Sequence, residues 1–96
     1  MDIRLEMVMH FTIEQRHLTD VAGKPVADER NVVSFHTCEA DSADEAVRLF
    51  VRKDQGEVLG DILKFPGFQA VATVRKTSGV YTLQVSPTSR SKIAIR

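Results

Sequence analysis

The residues best equipped for chemistry are two histidines and the single cysteine: His10, His36 and Cys38. Imidazole nitrogen and thiolate sulfur both ligate zinc, and water can complete a tetrahedral site. The same groups could also form a thiolate–imidazole pair for nucleophilic attack. Their spacing fits no ligand motif, neither C-x-x-C nor H-x-x-x-H. Cys38 ends a run of strand-forming residues, no signal places it at a helix start, and no G-x-S-x-G elbow is present. The plainer reading is a solvated sheet face with two histidines and a small half-buried cysteine. Which reading holds depends on the strands that carry the three side chains.

From Ile3 to Ile13 every odd position is apolar: Ile3, Leu5, Met7, Met9, Phe11 and Ile13. The even positions are polar except Val8. This period of two predicts a strand with its odd face in the core, continuing irregularly towards Leu18. Gly23-Lys24-Pro25 is turn chemistry, and Val32–Cys38 is β-branched and aromatic, a second strand. Setting the two apolar faces together about Gly23 puts Phe11 opposite Phe35, Ile13 opposite Val33 and His10 opposite His36. His10, His36 and Cys38 would then share the even, open face.

Ser42-Ala43-Asp44-Glu45 matches a capping box, and Val47, Phe50 and Val51 follow at helical spacing. EVLGDILKF carries Val58, Leu59, Ile62 and Leu63, also at helical spacing but on a different stripe. Two helical segments, about 42–54 and 57–64, are expected, with a break near Gly56 and a stop at Pro66-Gly67. Were the helix continuous, Leu49, Leu59 and Leu63 would form a second apolar stripe. Phe68–Arg75 and Val80–Val85 read as third and fourth strands joined by a Lys76–Gly79 turn.

The expected fold is therefore α+β, a two-layer β-β-α-β-β sandwich with a four-stranded, mainly antiparallel sheet and the helical region on one face. Residues 1–86 form one domain, and 87–96 a polar, basic tail expected to be mobile. The chain's 96 residues suffice for one core without staples. One cysteine excludes an internal disulfide framework. The opening residues lack a signal-peptide pattern, and no apolar run reaches the roughly 18 residues of a membrane span, so a cytoplasmic protein without membrane contact is expected.

The remaining constellations have ordinary explanations. Asp41, Asp44 and Glu45, and likewise Glu57 and Asp61, cluster at predicted helix starts, where capping and the helix dipole explain them. The glycines form neither a P-loop nor a dinucleotide fingerprint, and the acidic residues near Ser42 would repel an anion there. Arg75, Lys76, Arg90, Lys92 and Arg96 gather towards the C-terminus, but 13 basic residues balance 13 acidic ones and no stacking platform accompanies them. Nucleic-acid binding is thus disfavoured. Val8, Val32, Val71 and Val80 stand on nominally polar faces, which a second copy of the chain would cover. No cofactor motif is visible. The expectation is a non-enzymatic interaction or ligand-binding module, self-associating as a homodimer. An enzyme or metal site at His10, His36 and Cys38 is the alternative, and nucleic-acid binding through the basic C-terminal region a further one.

Overall fold

The computed structural model describes residues 9–26 and 33–88. The expected strand positions Ile3, Leu5 and Met7 and the tail from Ser89 lie outside them. The elements run β1 (Met9–Thr19), β2 (Val33–Ala40), α1 (Ala43–Lys53), β3 (Glu57–Phe65), β4 (Gln69–Lys76) and β5 (Gly79–Pro87). The class is α+β, as expected. Among the described residues the sheet has five strands rather than four, in the order β2-β1-β5-β4-β3, and every pairing is antiparallel.

The added strand is β3, the segment expected to be the second helix. A spacing of four suits both a helix and an alternating strand. Val58 and Ile62 pack towards the core beneath α1. Leu59 and Leu63 pair with Thr73 and Val71 on the other face. The strand is apolar on both sides, so its alternation is hidden.

α1 ends by a left-handed residue just before Gly56. Gln55 takes φ 59°, and the Gly56 amide donates to the Val51 carbonyl at 2.8 Å. This closes the last turn as a glycine-type cap would. At the other end Ser42 accepts from the Glu45 amide at 3.3 Å, and its hydroxyl donates to the Asp44 carboxylate at 2.9 Å. The N-cap is as expected, with Asp44 as the side-chain partner of the serine.

The core lies between α1 and one sheet face. Phe11 and Ile13 of β1, Val74 of β4, and Leu83 and Val85 of β5 are fully buried beneath Val47 of α1. Each such burial contributes roughly 1.5–3 kcal/mol. Ala40, Ala43, Ala46, Ala70 and Ala72 are also buried and let the helix lie close to the sheet.

The register of the first hairpin corrects the sequence expectation. Phe11 pairs with Cys38 and Ile13 with His36, not with Phe35 and Val33. The shift is odd, so it exchanges the faces of β2. Ser34, His36, Cys38 and Ala40 join the helix side, and Val33, Phe35 and Thr37 the open side. The reversal itself occupies Asp20–Lys24, where the Asp20 carboxylate accepts from the Ala22 and Lys24 amides, both at 2.9 Å. The bridge Thr19–Pro25 fits a turn near Gly23. That bridge and the pairs from Arg16–Val33 onward do not share one continuous register.

Candidate functional site

The exchanged faces separate the predicted triad. His10 stands on the open face, exposed, with Nδ1 3.5 Å from the Glu39 carboxylate. His36 and Cys38 stand on the helix side. The structure does not bring the three together, because the odd register carries His36 and Cys38 across the sheet while His10 stays. Among the described residues no group of three or more His, Cys, Asp or Glu side chains is arranged to hold a metal ion.

His36 and Cys38 instead floor a groove of about 280 Å³ between β2 and α1, walled by Leu49, Phe50 and Lys53. The His36 and Phe50 rings meet at 4.9 Å. Ser34 Oγ lies 3.0 Å from His36 Nε2. Burial pushes the Cys38 thiol above its ordinary value; Lys53 pulls it down, and Glu39 and Glu45 add to the rise. A thiol held protonated is a poor nucleophile, so the groove does not prepare Cys38 for covalent catalysis.

Beyond the C-terminal end of α1 the helix-side face carries polar and aromatic groups that the sequence reading did not assemble. Lys76 Nζ donates to Gln15 Oε1 at 2.5 Å and to Asp54 Oδ2 at 2.6 Å. It lies 5.3 Å from the Phe50 ring centre and 4.9 Å from that of Tyr81. Lys76 is thereby withdrawn from the basic patch expected at the C-terminus. Arg90, Lys92 and Arg96 of that patch lie outside the described residues. Tyr81 stacks on His17 at 4.2 Å and donates to or accepts from Ser78 at 2.5 Å. The β1–β5 bulge between His17 and Thr19 leaves His17 Nε2 and Thr19 Oγ1 buried without partners. A Cβ on Gly79 would collide with the Thr19 carbonyl oxygen and fall 2.8 Å from that nitrogen, and the backbone there has φ 135°, so this position requires glycine. This cluster is a closed end of the core, with its cation already satisfied.

The open face differs. Its centre is polar: Thr12, Glu14 and Arg16 of β1 lie beside Thr82, Gln84 and Ser86 of β5. Arg16 donates to Glu14 at 2.8 Å. The apolar side chains stand at the lateral edges, Phe35 on β2 (65% exposed) and Leu63 and Phe65 on β3 (55% and 47%). Burying the central ion pair would cost more than it returns, so the face as a whole is unsuited to a second sheet.

The two edges are built differently. β2 offers eight consecutive residues with no bulge, no proline and no lysine, and among the described residues nothing pairs with its outer side. β3 is interrupted. Leu59 and Leu63 pair with Thr73 and Val71, so three residues of β3 face one of β4. Gly60 sits in this bulge at φ 74°, a left-handed backbone that glycine accepts without strain. Lys64 follows, and Phe68 closes the hairpin to β4 at φ 59°.

No protein family, curated protein or solved structure matches this chain. No helix of the described residues is long and apolar enough to cross a membrane.

Proposed function

We propose that the chain is a small non-enzymatic interaction module that associates with a second copy of itself, strand to strand, at the outer edge of β2. The observation that carries this reading is the contrast between the two edges. Natural sheets blunt exposed edges with bulges, lysines and prolines, because a row of unpaired N–H and C=O groups recruits another strand. β3 carries such devices and β2 carries none.

A second copy suits this edge. A two-fold axis perpendicular to the sheet and centred on Phe35 sets β2 antiparallel to the partner's β2, continuing a sheet that is antiparallel throughout. The two Phe35 rings then form a cross-strand pair on the open face, flanked by Val33 and Thr37 of opposite chains. A net charge of zero puts no repulsion between copies.

Light scattering on the full chain tests the reading. The expected particle has twice the 10.7 kDa chain mass. Phe35→Lys should return it to one chain mass without lowering the thermal midpoint, since Phe35 is outside the core. A wild-type particle of one chain mass at every concentration would falsify the proposal.

A further inference from the structure

We draw no further inference here: the strongest candidate, the apolar tip of the β3–β4 hairpin where Phe65 and Phe68 stand exposed, carries none because nothing in the structure shows what covers it.

Discussion

Among the described residues β2 and β3 both end the sheet, yet only β3 is finished as an edge. Left-handed residues stand at both its ends, Gln55 and Phe68 at φ 59°, and a bulge with Gly60 at φ 74° interrupts it. Lys64 and Pro66 follow the bulge. β2 runs unbroken from Val33 to Ala40 with Phe35, its third residue, exposed. The contrast teaches that irregularity can be protective. A bulge and a lysine make β3 a poor template for another strand. The regular edge keeps its template.

The largest expected effect comes from giving each edge a lysine in turn. Phe35→Lys should abolish association and Leu63→Lys should leave it intact, both read as particle mass by light scattering. The opposite pattern would assign association to β3. Next comes the seat of the helix that walls both flanks. Ala72 of β4 is buried under α1, and Ala72→Leu should cost about 1–3 kcal/mol in urea unfolding, because the helix has no room to rise without opening the core.

Ser42→Ala should cost about 1 kcal/mol by the same measurement, through loss of the N-cap. It also bears on pH. The Ser42 hydroxyl and then Arg48 hold the Asp44 carboxyl below its ordinary value. That depression contributes stability above the ordinary carboxylate value, lost as pH falls through the lowered one. The acid limb of the stability curve, below about pH 4, should therefore be shallower in Ser42→Ala than in the wild type. The smallest effect is a gain. Gln55→Gly should stabilise by about 0.5–1 kcal/mol, by relieving a side chain held in left-handed backbone where α1 gives way to β3.

Much of the frame was legible in the sequence. The alternation ending at Phe11 and Ile13, the Ser42 cap, and the strands around Val74 and Leu83 each rest on a local pattern, and local patterns carry their own phase. Two features were not local. β3 passed for a helix because Val58, Leu59, Ile62 and Leu63 repeat at four, which both periods allow. The β2 register depends on how many residues separate the turn from Val33, and nothing near Gly23 encodes that count. The candidate triad failed for that second reason: His36 and Cys38 follow the register of β2, and His10 follows β1. The groove floored by His36 could have been anticipated only by placing Phe50 over β2, a tertiary contact. The β2 edge was visible as an apolar run, but its lack of a neighbour among the described residues became clear only with the strand order.

Amide hydrogen exchange across β2 and β3, at low and high protein concentration, tests the contrast between the edges most directly. The outward-facing amides of β2 should gain protection as concentration rises, while those of β3 exchange at the same rate throughout. Equal exchange at both edges, unchanged by concentration, would contradict the account.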